Sequence, residues 1–286
     1  MNSHRIISEL EGFSGNSVNL LQKESGEYVI SKRAKKKGSN ERMLKQYEKH
    51  NFFHSKVNSA FFSTPAILQS GEKDGMFFYE YVYVEGVSLR HFIEVHDIGK
   101  IKNVLEKVVS IMRFFSEEQI FPDSYIGGDL KAAVRNKIEK NAAICELDER
   151  MVKKMLTKLE YLSVDTEHSL SHGDFTLDNI IIDTQDHIWL IDYDIFFPHY
   201  WFDISKFFQD MGGKWHTLVS GETQSNNKML YIQDYLLNKI STFDERYLQA
   251  HNFLMALVFL RLYPYARTEE SKSALHKKIT DYINLL

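Results

Sequence analysis

One cysteine, Cys145, in 286 residues leaves no intrachain disulfide framework. Four prolines and 14 glycines supply no low-complexity linker to mark a domain boundary, and no repeat of 20 to 50 residues is visible. Long apolar runs are missing too: FLMALVFL, Phe253 to Leu260, is closed off by Arg261, short of the roughly 18 residues that span a bilayer. The start MNSHRIISEL has neither the basic nor the long apolar region of a signal peptide. These absences predict a soluble protein in a reducing, cytoplasmic setting. A net charge of -4 is too mild to imply a nucleic-acid partner, and the run KRAKKK, Lys32 to Lys37, reads first as a solvated face. What is abundant is apolar and aromatic: 43% hydrophobic residues, with 20 Phe and 15 Tyr, place the chain among globular proteins long enough for two lobes or one large domain.

The texture changes along the chain. Up to about residue 95, short β-rich runs alternate with turn signals, as in NSVNLLQ, YVISKRA and GMFFYEYVYVEG. Between them SNERMLKQYEKHNF reads as a helix that Ser39 or Asn40 can cap, with Met43, Leu44 and Tyr47 at helical spacing. From Ile98 onward the periodicity is helical, in IKNVLEKVVSIMRFF, in KAAVRNKIEKNAAICEL with Val134, Ile138, Ala142 and Cys145 on one face, and in MVKKMLTKLEYL. The boundary falls near Val87 to Glu94, giving residues 1–90 and 91–286 as the expected lobes.

One stretch breaks the helical half: SHGDFTLDNIIIDTQDHIWLIDYD, residues 171–194. IIID and HIWLID are β-branched-rich runs joined by TQD, a predicted hairpin. Antiparallel pairing brings the start of its first strand, Asn179, beside the end of its second, Asp192. Both offer oxygen donors suited to a hard divalent cation such as magnesium. Asp174, five positions before Asn179, could accept a proton from an attacking hydroxyl. Each residue alone fits ordinary turn chemistry, and Asp194 fits a second metal neighbour or a surface turn equally well.

HGDFTLDN followed by IDYD resembles the aminoglycoside phosphotransferase and choline kinase group, a branch of the protein-kinase-like fold. WFDISKFFQD is similar to that group's segment with a structural Asp, here Asp203. The resemblance implies an α+β, bilobal protein-kinase-like fold, with a small β-rich N-terminal lobe for nucleotide and a larger, mostly helical C-terminal lobe carrying the catalytic hairpin. It implies ATP and Mg2+ as cofactors, Asp174 as catalytic base and Asn179 and Asp192 as metal ligands. His172 then supports the loop, and Asp203 bonds its amides. In the first lobe, Gly12 and Gly15 of GFSGNSVNLL would approach the phosphates and Lys32 would contact them, with Arg33 and Lys35 as competitors. Glu41, or else Glu48, would orient Lys32. Backbone groups of Glu80 and Val82 in FFYEYV would meet the adenine.

The function so implied is transfer of the ATP γ-phosphate to a hydroxyl of a small-molecule acceptor, with DISKFFQDMGGKWH and FLRLYPYA resembling kinase-like proteins of surface-polysaccharide function and pointing to a sugar or glycan-related polyol. Choline or ethanolamine is the alternative that the aromatic cluster FFPHYWF, residues 196–202, could cage by cation–π contact. An aminoglycoside would need acidic residues such as Glu117, Glu118, Asp123 and Asp129 gathered in one pocket. Trp215, His216, Arg261, Tyr263 and Tyr265 are further candidates for an acceptor pocket, Arg261 suiting an anionic group. A nucleotide-binding pseudokinase scaffold and a metal-dependent phosphohydrolase using Asp174, Asp192 and Asp194 are readings from other classes.

Overall fold

The structure, a computed structural model, describes residues 5–10, 16–57, 59–117, 129–162, 169–195, 198–213 and 226–286. The chain divides into two compact units: Met1–Phe92 with Asp178–Ile195, and Ile93–Leu177 with Phe196–Leu286. This division by packing groups the hairpin with the N-terminal unit.

In the first unit β1 (Arg5–Leu10), β2 (Ser17–Gln22), β3 (Tyr28–Arg33), β4 (Ile67–Lys73) and β5 (Met76–Val82) form an antiparallel sheet in the order β1-β2-β3-β5-β4. Asp74 and Gly75, at φ 55° and 72°, make the two left-handed corners that a tight β4–β5 hairpin requires. Helix α1 (Asn40–Lys56) packs on this sheet through Met43, which clusters with Ile30, Ala34, Phe77, Tyr79 and Tyr81. Asn40 holds the helix start to the β4–β5 turn, accepting from Phe77 N at 3.0 Å and donating to Gly75 O at 2.9 Å, while Ser39 occupies the cap position without a side-chain bond. Leu44, expected on the buried face, is 39% exposed. The inward face instead carries Met43, Gln46, Lys49, His50 and Phe53, three of the five polar.

A second small sheet joins β6 (Val87–Ser88) to the predicted hairpin, β7 (Ile180–Ile182) and β8 (Ile188–Leu190), with Ile180 opposite Leu190 and Ile182 opposite Ile188. Gly86 permits the approach of β6, since a Cβ there would lie 2.5 Å from the Ile182 carbonyl oxygen. The Asp183 carboxylate closes the turn, accepting from Gln185 N and His187 N at 2.9 Å and from Trp189 Nε1 at 3.0 Å.

The second unit is helical. Short α2 (Leu89–Val95) leads into it, followed by α3 (Ile98–Glu117), α4 (Leu130–Cys145), α5 (Glu149–Tyr161), α6 (Tyr200–Gly213), α7 (Asn226–Ser241), α8 (Glu245–Leu262) and α9 (Glu269–Asn284). The apolar run of the sequence is the middle of α8, where every residue from Phe253 to Leu260 is buried. Burial on all sides is what a helix apolar all round requires, and each large side chain there contributes on the order of 1.5–3 kcal/mol. No described helix is long and apolar enough to cross a membrane. Asp244 caps α8, accepting from Arg246 N at 3.1 Å and Tyr247 N at 3.3 Å, and it also accepts from Trp201 Nε1 at 2.6 Å and from the Tyr200 hydroxyl. The start of α6 is thereby tied to the start of α8.

Candidate active site

Within the helical unit, the loop before β7 is held from below by α6. The Asp203 carboxylate, in the first turn of α6, accepts the Gly173 amide at 2.8 Å on one oxygen and the His172 amide on the other. Gly173 has φ 89°, a conformation glycine adopts without a Cβ clash. His172 is fully buried and its Nδ1 accepts the Asp174 amide at 3.2 Å, so the ring shapes the loop from inside. Phe175 is fully buried against Phe115 and Phe207, at ring separations of 5.8 and 5.7 Å, and anchors the chain just past Asp174. Asp174 is left half-buried, with Lys206 Nζ of α6 2.9 Å from its Oδ1. Burial alone would raise the Asp174 pKa. The Lys206 ammonium, with smaller help from His172 and Arg261, outweighs it and holds the carboxyl below the usual carboxylate range.

Within the sheet unit, the hairpin does what its pairing predicts for the main chain: the Ile191 amide donates to the Asn179 carbonyl at 3.1 Å, which sets Asn179 across from the residue before Asp192. Asp192 follows β8 in a left-handed conformation, φ 61°. Its Oδ1 pairs with Lys32 Nζ of β3. Lys32 is 5% exposed and lies opposite Tyr79 on β5. Burial would lower the Lys32 pKa, but the Asp192 carboxylate raises it above the ordinary lysine value. The competitors point elsewhere: Arg33 pairs with Asp74 at 2.8 Å, and Lys35 with Glu9 at 3.7 Å. Asn179 and Asp192 would offer a metal one amide and one carboxylate. That set fits magnesium, which takes few protein ligands and fills its shell with water and phosphate oxygens. Among the described residues no group of three or more His, Cys, Asp or Glu could hold a metal by itself.

Asp194 has a different job. Its Oδ2 accepts from Arg42 at 2.7 Å, its Oδ1 from Gln46 at 3.1 Å and from Ile195 N at 2.8 Å, and its carbonyl from buried Lys49 at 2.7 Å. Helix α1 thus grips the hairpin's exit with three side chains at helical spacing.

Several expectations meet a different arrangement. Glu41 is not brought to Lys32: it is exposed and pairs with Lys45 at 2.9 Å, one turn on along the same helix face, and Glu48 is exposed as well. Lys32 takes its acid from the hairpin instead. Val82 donates its amide to Ala66 O at 3.0 Å, so that N–H is spent inside the structure. Glu80 sits mid-strand between Ser31 and Gln69, 6% exposed, with its carboxylate bonded to Gln69 Nε2 at 2.7 Å. Tyr200 and Trp201 of the aromatic cluster are buried on Asp244 rather than open as a cage. Asp129 is used as the cap of α4, bonding Lys131 N at 2.8 Å. Gly12, Gly15, Glu118, Asp123, Phe196, Phe197, Trp215 and His216 lie outside the described residues. Missed by sequence reasoning were Lys206, the α1 clasp on Asp194, and Arg90, which forks onto Asp178 of the loop with two 2.8 Å bonds. The α6 spacing Asp203-x-x-Lys206 was the available signal, since residues three apart share a helix face.

No family model matches the chain, and no curated protein matches it in sequence. Solved structures do. A macrolide 2'-phosphotransferase type I superposes with a TM-score of 0.57 at 12% identity, over 97% of this chain and 92% of the other. An amicoumacin kinase in complex with AMP-PNP, Ca2+ and Ami gives 0.56 at 13% identity, over 97% and 88%. A Thermobifida fusca protein described as a fructosamine-3-kinase gives 0.55 at 11% identity, over 99% and 95%. Likeness at such identities speaks for the fold alone, and the fold is the one these three structures share.

Proposed function

We propose that this chain transfers the γ-phosphate of ATP to a hydroxyl group of a small molecule. The observation that carries the reading is the Lys32–Asp192 pair: a buried strand lysine committed to the aspartate that follows the hairpin, beside Asn179. In that reading the pair is the nucleotide half of the site, Lys32 contacting the phosphates and Asn179 and Asp192 holding the metal. Magnesium held there supplies neutralisation of the phosphate charge. The amicoumacin kinase neighbour, with AMP-PNP and Ca2+ in its complex, supports nucleotide and divalent metal as partners.

Asp174 is the other half. Its carboxylate orients the acceptor hydroxyl and takes its proton as the new O–P bond forms and the bond from the γ-phosphorus to the ADP oxygen breaks. Catalysis of this kind is mostly positioning and charge stabilisation, so a carboxylate with a low pKa suffices. Lys206 and Arg261, two of the groups that hold the Asp174 pKa down, are cationic, which favours a neutral or anionic acceptor such as a sugar or polyol over a polycationic aminoglycoside. The buried, bonded state of Tyr200 and Trp201 weighs against a cage for choline. The two expected lobes, residues 1–90 for nucleotide and 91–286 for catalysis and acceptor, remain the functional division proposed.

The test is ATP turnover with magnesium against sugars, polyols, choline, ethanolamine and aminoglycosides, in the native chain, Asp174→Asn and Asp192→Ala. Loss of the base should cost on the order of 10²–10⁴ in rate. Equal rates in all three proteins would sink the assignment.

A further inference from the structure

We propose that Lys206 is a positioning residue for Asp174, its ammonium fixing carboxylate oxygen Oδ1 so that Oδ2 is presented to the acceptor hydroxyl. This rests on the kinase reading for what Asp174 does. The geometry itself is local to the helical unit. Asp203 and Lys206 stand three residues apart on α6, hence on one face, and act on the same loop: Asp203 takes the amides of His172 and Gly173, and Lys206 takes the side chain of the next residue at 2.9 Å. A single rigid helix therefore sets both the backbone and the carboxylate of the loop.

The pair is not a decorative surface bridge. The Lys206 side chain is only 13% exposed, in a helix whose other residues from Tyr200 to Met211 are all buried. Placing an ammonium there has a desolvation cost that only a close anion offsets, and Asp174 at 32% exposure is that anion. The other groups that bear on Asp174 are the His172 ring of its own loop and the Arg261 guanidinium of α8, and both act in the same sense as Lys206. The downward displacement of the Asp174 pKa agrees with the contact and keeps the group a carboxylate, ready to accept a hydrogen bond from an alcohol. The nucleotide phosphates bring further negative charge towards this carboxylate before it takes the proton. Lys206 offsets that repulsion without touching the reacting atoms, as a lysine on the base rather than on the phosphate.

The full-length chain, labelled with carboxyl-13C aspartate, tests this without any acceptor. The Asp174 resonance is the one lost in Asp174→Asn. It should titrate below the ordinary carboxylate range in the native protein, move up by about 1–3 pH units in Lys206→Met, and stay low in Lys206→Arg. Lys206→Gln, which keeps a hydrogen-bond donor and loses the charge, serves the same comparison if methionine at this site prevents folding, and should move the resonance up as well. A midpoint that is the same in the native protein and in the uncharged variant overturns the proposal, as does a Lys206→Arg protein that titrates like Lys206→Met. Calorimetry with magnesium-ATP separates the two levels. Native binding with an unmoved Asp174 midpoint removes Lys206 alone, while absence of magnesium-ATP binding removes the kinase reading and the role of Lys206 with it.

Discussion

Lysine–aspartate pairs occur in both units of the molecule, and Lys32–Asp192 and Lys206–Asp174 are built differently. In the sheet unit, Lys32 on β3 meets Asp192 across 160 positions of sequence, and the hairpin exit is secured again two residues later by Arg42, Gln46 and Lys49 of α1. In the helical unit, Lys206 meets Asp174 from the same helix that already ties the loop's amides through Asp203. Asp192 is paired by a strand lysine while a helix holds the chain two residues on, and Asp174 is paired by the same helix that holds the amides before it. The difference teaches where each can be disturbed: the hairpin half fails when the assembly of α1 on the sheet fails, the loop half when one helix face is changed.

Asp203→Ala strikes the loop half hardest. It leaves the His172 and Gly173 amides without their carboxylate in a buried setting, which costs about 1–3 kcal/mol for each stranded donor. Urea denaturation should show a loss of that order, with turnover falling as Asp174 loses its support. If Asp203→Ala is as stable as the native chain, the loop is not held from α6 and the comparison breaks. At the other extreme stands Glu41→Ala. In a kinase whose lysine is oriented by a helix glutamate this substitution would be severe. Here Glu41 faces solvent with Lys45, and magnesium-ATP affinity should stay within about a factor of two. A tenfold loss would show that Glu41 reaches Lys32 during function, and the hairpin would no longer be the lysine's sole acid partner in the account.

Much of this was legible in the residues. The hairpin follows from β-branched runs around TQD, and the apolar stripe of α3 and the core run of α8 follow from periodicity. Lys32 stands out from its basic neighbours once the strand is placed. The inward face of α1 departs from its apolar pattern for a physical reason: Met43, Leu44 and Tyr47 stand at helical spacing, yet Gln46 and Lys49 are buried while Leu44 is exposed. Those polar residues are inside because they hold Asp194, a need created by a segment nearly 150 positions away. Lys206 was hidden likewise, as one charge among the aromatic residues of DISKFFQD, since its partner is defined only when the loop folds onto α6. Glu41 was expected beside Lys32 by resemblance, and the structure gives that place to Asp192, which the sequence had set aside for metal.

The most direct test of the account is calorimetric titration of magnesium-ATP into the native chain and into Asp192→Ala. The account predicts saturable binding to the native protein that requires magnesium and falls by at least about tenfold in the variant, about 1.4 kcal/mol. Absence of binding to the native chain, or binding of equal strength in both proteins with and without magnesium, would contradict it.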